Sequence, residues 1–437
     1  MTVIGLDDTD SRSEGMCTTY LATRLAEAIE TAGYTVDRRL LIRLNPAVKH
    51  KTRGNAALAL HTDLPASRAF ELACNQLETL AIDDDARTSP GVVVAPGGPE
   101  TVPEPVVDVA RRAVRHQLTL DEVVAVADEA GYQDRGWAAA GCDVSGRGRI
   151  GALAAVGAWQ AFDEWTYEQI AYREFDRCGT PREVDTETVF AAADQGYPTV
   201  WDTVDRGEAQ AVCVPNAPGP ILYGIRGDTP EAVQRVSREI SEGADTEAVD
   251  RTSLFVTNQG TDQHLAFGTV GSLREGAGYR LTGIVDTEPE TRQGGHVFFR
   301  LAEQTTTNGP EAVDCVAFEP TKRFRDHVRN LRVGDQLTVC GEHSEGTIKL
   351  EKFAIRDLNR VEQATPVCPD CGRRMKSAGR NQGYRCRDCG TRQPGKVSRE
   401  VDRDLEVGWY EVPPCARRHI SKPLVRGGFD ASTHPER

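Results

Sequence analysis

Four cysteines, arranged as Cys368-Pro-Asp-Cys371 and Cys386-Arg-Asp-Cys389, constrain this chain more than any other feature. Fourteen residues separate the pairs, and a glycine follows each pair at Gly372 and Gly390. Two thiolate pairs on tight knuckles close a tetrahedral zinc site with no open position, which makes the metal structural. Free thiols are the alternative. Arg373, Arg374, Lys376, Arg380, Arg385 and Arg387 surround the knuckles, so the metal would rigidify a surface suited to phosphate contacts. The other eight of the twelve cysteines are scattered singly, mostly among apolar neighbours. They read as reduced core residues.

Charge marks the same end of the chain. Residues 366–437 hold 15 Lys and Arg against 9 Asp and Glu, a local +6 in a protein of net −14, which leaves −20 on the remainder. A basic end on an acidic chain points to a nucleic acid, although a solvated arm has the same composition. The acidic remainder reads as salt adaptation rather than as a barrier to a polyanionic partner. The N-terminal MTVIGLDDTD lacks a basic region followed by an apolar core, and no long apolar run occurs. A cytosolic protein with no membrane partner is expected.

A chain of 437 residues implies roughly three or four domains. Residues 1–160 read as an α/β domain. A short buried strand at 2–6 leads into Asp7, Asp8, Thr9 and Asp10, and Met16, Leu21, Leu25 and Ile29 then recur at helical spacing up to Gly33. Apolar runs at Ala56–Leu60 and Val92–Ala95 alternate with helical patterns at Arg68–Leu80 and Glu122–Ala130. Residues 161–268 suit a small α+β domain, with helices expected at Glu164–Phe175 and Pro230–Glu242 and strands at Ala211–Pro215 and Leu254–Thr257. Residues 275–360 show five strand patterns, at Tyr279–Val285, His296–Ala302, Ala312–Phe318, Gln336–Gly341 and Thr347–Ile355, with a helix at Arg323–Leu331 before the fourth. That order fits an OB-fold β-barrel, and another small barrel would share it. Residues 366–437 hold the zinc ribbon and a basic tail.

Several segments bring chemistry together. Asp7, Asp8 and Asp10 leave the end of a buried strand, where open α/β sheets place ligands. Close carboxylates repel one another unless a cation joins them, and hard oxygen ligands suit Mg2+ carrying nucleotide phosphates. Thr18 and Thr19 then stand near a helix N-terminus able to stabilise phosphate charge. An acidic turn with a threonine cap is the bland alternative. Gly146-Arg147-Gly148-Arg149-Ile150-Gly151 matches a phosphate-loop pattern, but without a clear preceding strand a dinucleotide fold is rejected. Its glycine amides and arginines suit phosphate; a packing turn is the other reading. Lys49-His-Lys-Thr-Arg-Gly-Asn55 gathers Lys51, Arg53 and Asn55 for ATP or RNA phosphates, or forms an exposed charged loop. Asn258, Gln259 and Asp262 can read a base edge or a polar ligand, or build a capped turn.

The chain resembles the archaeal tRNA(Ile) 2-agmatinylcytidine synthetases, or agmatidine synthetases, over essentially its whole length. The resemblance rests on Ile4-Gly-Leu-Asp-Asp-Thr-Asp10 with Gly15-Met-Cys-Thr-Thr19. It is supported by Lys51–Asn55, Gly146–Ala152, Gly179-Thr-Pro-Arg182, Leu222–Gly227, Thr257–Asp262 and Glu411–Pro414. Gly219 stands in a turn where more cysteines are expected, and that loop receives no role. The resemblance implies a kinase-like N-terminal domain, a ferredoxin-like domain, an OB fold and a zinc ribbon. It also implies attachment of agmatine to C2 of the wobble cytidine of an isoleucine tRNA with a CAU anticodon, which then reads AUA.

The C2 oxygen is a poor leaving group, so the family mechanism phosphorylates it first. Asp7, Asp8 and Asp10 would hold Mg2+ and orient ATP, with Thr18 matching the family's phosphorylated threonine. Gly15, Thr19, Lys51, Arg53, Asn55, Arg147 and Gly148 would hold ATP phosphates. Agmatine is a dication, and its carboxylate partners are expected at Glu183 or Asp185 beside Thr180, with Asn258, Gln259 and Asp262 as further agmatine or cytidine contacts. Two other readings compete: a single-strand-binding protein without catalysis, and a small-molecule kinase with regulatory C-terminal modules.

Overall fold

Strand β1 (Thr2–Asp7) is buried as far as Leu6 and opens the main sheet. The protein, in a computed structural model that describes residues 1–11, 15–49, 51, 54–81, 87–138, 146–303 and 311–437, continues with α1 (Thr18–Thr31), β2 (Val36–Arg43), β3 (Ala56–Thr62) and α2 (Ala66–Leu80). Then come β4 (Gly91–Pro96), α3 (Glu104–Arg115), α4 (Leu120–Glu129), β5 (Gln133–Gly136) and α5 (Arg149–Ala161). Period-two alternation sorts the strand side chains between two layers. Ile4, Leu6, Leu58 and Val92 pack against Leu21, Leu25 and Ile29 of α1, while Val3, Val93 and Ala95 pack against α3 and α5. Residues 151–158 of α5 are all buried, as expected of a helix that is apolar on every side.

The second unit comprises β6 (Thr166–Tyr172), α6 (Thr186–Gly196), β7 (Val200–Trp201), the small hairpin β8 (Val204–Asp205) and β9 (Gln210–Ala211), β10 (Ile221–Gly227), α7 (Pro230–Ser241) and β11 (Arg251–Thr257). Its strands extend the first unit's sheet, in the order β5-β4-β1-β3-β2-β11-β6-β10-β7. The join is the parallel pair of β11 with β2, at Val256 with Leu40 and Thr257 with Leu41. Glu164–Phe175, expected to be helical, instead contains β6, a central strand between β10 and β11. Pairing on both edges and its Thr166, Tyr167, Ile170 and Tyr172 outweigh the helix formers Glu168, Gln169 and Ala171. Of the expected strand Ala211–Pro215, only Ala211 lies in a strand.

The third unit is a closed five-stranded barrel. After β12 (Leu265–Phe267) come β13 (Ala277–Val285), β14 (Glu290–Thr291), β15 (Val297–Ala302), β16 (Ala312–Ala317), α8 (Phe324–Arg329), β17 (Gln336–Ser344) and β18 (Thr347–Asp357). The ring runs β13-β15-β16-β18-β17 and returns to β13. The five strands and the helix expected at 275–360 are all present. Inward residues such as Leu281, Phe299, Val339 and Phe353 fill the barrel, and Phe324 and Val328 of α8 close it.

The ribbon follows as β19 (Val361–Ala364), β20 (Lys376–Ser377), β21 (Tyr384–Arg385), β22 (Arg392–Gln393) and β23 (Val397–Glu400). The tail then returns to the barrel: β24 (Gly408–Glu411) pairs with β18, and β25 (Thr433–His434) pairs with β24. Among the described residues no helix is long and apolar enough to cross a membrane.

Candidate active site

The end of β1 delivers the three aspartates to one place. Asp8 takes a left-handed backbone, φ 58°, which turns the chain sharply, and its N–H donates to Asp7 Oδ1 at 2.6 Å. Asp10 reaches the start of α1, where its Oδ1 accepts from the Thr18 N–H at 2.7 Å and the Thr18 hydroxyl at 3.0 Å. Thr18 is 4 % exposed, and its Oγ1 also accepts from the Thr9 hydroxyl at 3.1 Å. Asp10 therefore occupies the capping role at the first turn of α1, a role its neighbouring Cys17 does not fill.

Burial, then the charges of Asp8 and Asp10, push the Asp7 carboxyl well above the usual carboxylate range. Burial likewise raises Asp8, against the opposing pull of Arg147, to about 6. With Asp7, Asp8 and Asp10 all ionised, the cluster would hold more negative charge than Arg147 offsets. A cation would relieve that excess, and the donor set suits Mg2+, which uses one or two carboxylates together with nucleotide phosphates.

The glycine-rich turn explains how the acids are held. Arg147 pairs with Asp8 at 2.6 Å and bonds the Arg87 carbonyl, while the Gly148 N–H donates to the Ser89 carbonyl at 2.8 Å. A Cβ on Gly148 would lie 2.6 Å from the Asp7 carbonyl, and one on Gly151 would overlap the Asp7 carboxylate. Glycine is needed here because α5 begins against the acidic cluster.

Two cavities meet at Asp10 and Gly54. The smaller, about 150 Å³, is lined by Asp7, Asp8, Lys51, Asn55 and Arg147 together with the apolar Leu44, Val48 and Ile150. The larger, about 290 Å³, takes Thr18 and Thr19 from α1. Into it also project Arg43 of β2, Glu168 of β6, Arg226 of β10 and His419 of the tail. Glu168 is 3 % exposed and binds Arg43 at 3.3 Å and Arg226 at 3.2 Å. Burial disfavours its charge, but the two arginines outweigh this and hold its carboxyl below the usual range.

Of the other expected residues, Lys51 bonds the Pro46 carbonyl and Asn55 the Asn45 carbonyl. Gly15, φ 86°, packs against Pro218 and Cys178, and Arg53 lies outside the described residues. Thr180, Glu183 and Asp185 line neither cavity. Thr180 bonds the Arg177 carbonyl, Glu183 pairs with Arg177 at 3.2 Å, and Asp185 caps α6 through Glu187 and Thr188. Asn258 bonds both backbone groups of Arg43, at 2.7 and 3.1 Å, and so extends the join of β11 with β2. Gln259 holds the Arg43 guanidinium at 2.8 Å. Asp262 binds Lys352 of the barrel at 2.7 and 2.9 Å.

Glu168, Arg226, Arg43 and His419 are absent from the expected set. Arg226 lies in the Leu222–Gly227 segment already singled out, whereas Glu168 is masked by the helical reading of its strand. His419 carries no local signal, since only the return of the tail brings it here.

In the ribbon the four sulfurs lie within 4.8 Å of one another, with Cys368 to Cys389 at 3.3 Å and Cys371 to Cys386 at 3.4 Å. Thiolates on one tetrahedral zinc stand ~3.8 Å apart, so the residues present fit that ion.

Family models described as the TiaS TCKD domain, the TiaS FLD domain and the TiaS C-terminal zinc ribbon domain match residues 3–64, 146–264 and 365–405. A protein of Haloquadratum walsbyi named as TiaS, the isoleucine-tRNA 2-agmatinylcytidine synthetase, is 57 % identical, with all of both chains covered. The protein of that name from Methanosarcina mazei is 43 % identical over 97 % of each chain. The crystal structure of TiaS in complex with its isoleucine tRNA and ATP superposes with TM-score 0.87 at 40 % identity, covering 100 % of this chain and 99 % of that one. Identity of this extent, running through the acidic cluster, the barrel and the ribbon alike, makes the chain a member of the TiaS family of isoleucine-tRNA 2-agmatinylcytidine synthetases.

Proposed function

We propose that this protein uses ATP to attach agmatine to C2 of the wobble cytidine of an isoleucine tRNA, the one with a CAU anticodon, in the cytoplasm. The observation that carries the reading is full-length similarity to TiaS, including a structure of TiaS with its isoleucine tRNA, AMPCPP and agmatine at 38 % identity and TM-score 0.84. Residues 1–160 form the kinase-like catalytic domain, 161–268 the ferredoxin-like domain, 275–360 the OB fold and 366–437 the ribbon and tail. The smaller cavity takes ATP: Lys51, Asn55, Arg147 and the Gly148 turn face its phosphates, and Leu44, Val48 and Ile150 offer an apolar wall to the base. Asp7, Asp8 and Asp10 would hold Mg2+, which when bound offsets phosphate charge.

Asp10, 3.0 Å from the Thr18 hydroxyl, orients that oxygen and is placed to take its proton. The larger cavity adjoining Thr18 takes the flipped cytidine and agmatine. Glu168 is the buried carboxylate in its wall, and it replaces Glu183 and Asp185 as the candidate partner for agmatine. The barrel and the ribbon grip the tRNA away from the anticodon. The binding-protein reading leaves the acidic cluster and both cavities without a purpose. The test is to incubate protein, ATP, Mg2+, labelled agmatine and the tRNA transcript, digest the RNA and assay the nucleosides. Label on cytidine is expected, and its absence refutes the reading.

A further inference from the structure

The tail beyond the ribbon returns to the active-site pocket and is fastened there. Arg417 pairs with Asp202 at 2.9 Å, Arg426 with Asp228 at 2.6 Å and Lys422 with Glu164 at 3.0 Å. Between these clasps His419 enters the wall of the larger cavity, which also contains Asp10, Thr18 and Thr19. Its Nε2 lies 3.9 Å, and Arg43 Nη1 3.4 Å, from the position a Cβ on Gly54 would occupy. No hydrogen bond joins its ring to a described residue.

The other acid-base groups of this cavity are already committed. Asp10 accepts both the N–H and the hydroxyl of Thr18. Glu168 is paired with two arginines. The Cys213 thiol is pushed by burial to about 12, and the Cys17 thiol contacts the Thr19 hydroxyl at 3.3 Å. A proton acceptor without a partner remains only at His419 among the described lining residues.

We infer that His419 is a catalytic residue of the conjugation step, where its imidazole takes the proton that the agmatine amine sheds as the carbon–nitrogen bond forms. The inference rests on the function proposed above. Agmatine's primary amine reaches C2 as the free base, its first proton having gone to water; the nitrogen then gives its lone pair to C2, and the C2–O bond breaks. The phosphate leaves with the bonding electrons, and the nitrogen's proton passes to His419 and then to water. The imidazole starts neutral: burial, then Arg43 of β2, Arg226 of β10, and His264 and Arg418 nearby, hold it well below its usual pKa. Glu168 offsets part of that positive charge, and the phosphorylated cytidine would offset more, raising the basicity of the ring when its acceptor role begins.

The test compares wild type with His419→Ala and His419→Asn, scoring conjugate formed per ATP cleaved with the tRNA substrate. Positioned acid-base groups contribute about 10²–10⁴-fold. Both variants should lose at least about 100-fold in kcat for conjugation, with KM for agmatine held within about threefold and ATP cleavage uncoupled from product. Added imidazole should restore part of the His419→Ala rate. Unchanged conjugation in either variant overturns the inference, as does a rise in KM at constant kcat or equal loss of ATP cleavage and conjugation in both. A wild-type protein that forms no conjugate would instead refute the function itself.

Discussion

Replacing Asp262 by alanine should destabilise the junction of sheet and barrel without weakening agmatine binding. The Lys352 side chain is 0 % exposed and that of Asp262 is 35 % exposed, so the two partners are unequal. Removing the acid strands a buried ammonium, a change that costs about 3–5 kcal/mol when no other group compensates. Here the Lys422 carbonyl at 3.1 Å and the rings of Phe429 and Trp409, at 4.9 and 5.8 Å, keep some of the stabilisation. Cation–π contacts of this kind contribute about 1–2 kcal/mol, which leaves a net loss of about 2–3 kcal/mol. Lys352→Met leaves Asp262 within reach of water and still accepting from the Lys422 N–H at 2.7 Å, so its cost should be about 1 kcal/mol.

The double variant should then resemble Lys352→Met rather than the sum, giving a coupling of about 2 kcal/mol. Urea unfolding followed by tryptophan fluorescence reads these differences, since Trp409 lies beside the pair. The KM for agmatine should stay within about twofold. A stability loss under about 1 kcal/mol, with a tenfold rise in that KM, would make Asp262 a ligand rather than a clasp.

Thr18→Ala should abolish conjugation while tRNA affinity, measured by filter binding, stays near wild type; loss of binding would mark Thr18 as a structural cap. Cys386→Ser should release zinc, measured by metal analysis, and lower tRNA affinity at least about tenfold through loss of the ordered arginines. A zinc-free variant of full affinity would refute the role given to the ribbon. Because the folded pKa of Asp8 is raised from 3.8 to about 6, the folded state holds that proton more tightly than the unfolded state. Asp8 thus favours folding most below pH 3.8, and stability falls by about 3 kcal/mol as pH rises through about 6. Asp8→Asn should flatten this slope in denaturant titrations run without Mg2+, and Mg2+ should restore stability most above pH 6. An equal slope in the variant would refute the assignment.

The barrel was legible because strands such as β13 and the first part of β15 alternate buried and more exposed positions, so local pattern and final packing agree. In Glu164–Phe175 they disagree: Glu168, Gln169 and Ala171 favour a helix locally, and only pairing with β10 and β11 makes the segment a strand. The site divides in the same way. Asp7, Asp8, Asp10 and Thr18 lie within a dozen residues of one another, and the strand-turn-helix that joins them can be read directly. Arg43, Glu168, Arg226 and His419 come from four elements spread over nearly the whole chain, and no local pattern foretells their meeting. Asp185, which caps α6, shows a related difficulty, since a carboxylate at a helix N-cap and one awaiting a cationic ligand look alike in sequence.

The pocket's electrostatics bear on the direction of phosphoryl transfer. Asp10 and Gly54 stand between two cavities of opposite character. On one side Asp7, Asp8 and Asp10 face Arg147 and Lys51, three carboxyls to two cations, and this acidic excess suits a site that receives a metal-borne nucleotide. On the other, Arg43, Arg226 and Arg182 face Glu168 and Asp10 as the carboxylates among the described lining residues. That net positive charge suits a site that receives a phosphoryl group. Thr18 opens on the positive side while its hydroxyl is held by Asp10 at the partition. In the proposed reaction a phosphoryl group leaving the nucleotide thus moves from an acidic surrounding into a basic one, and the gradient stabilises the products of transfer. A protein of net −14 can bind RNA on the same grounds, because the phosphates meet the local field of the cavity and the ribbon before that of the whole chain.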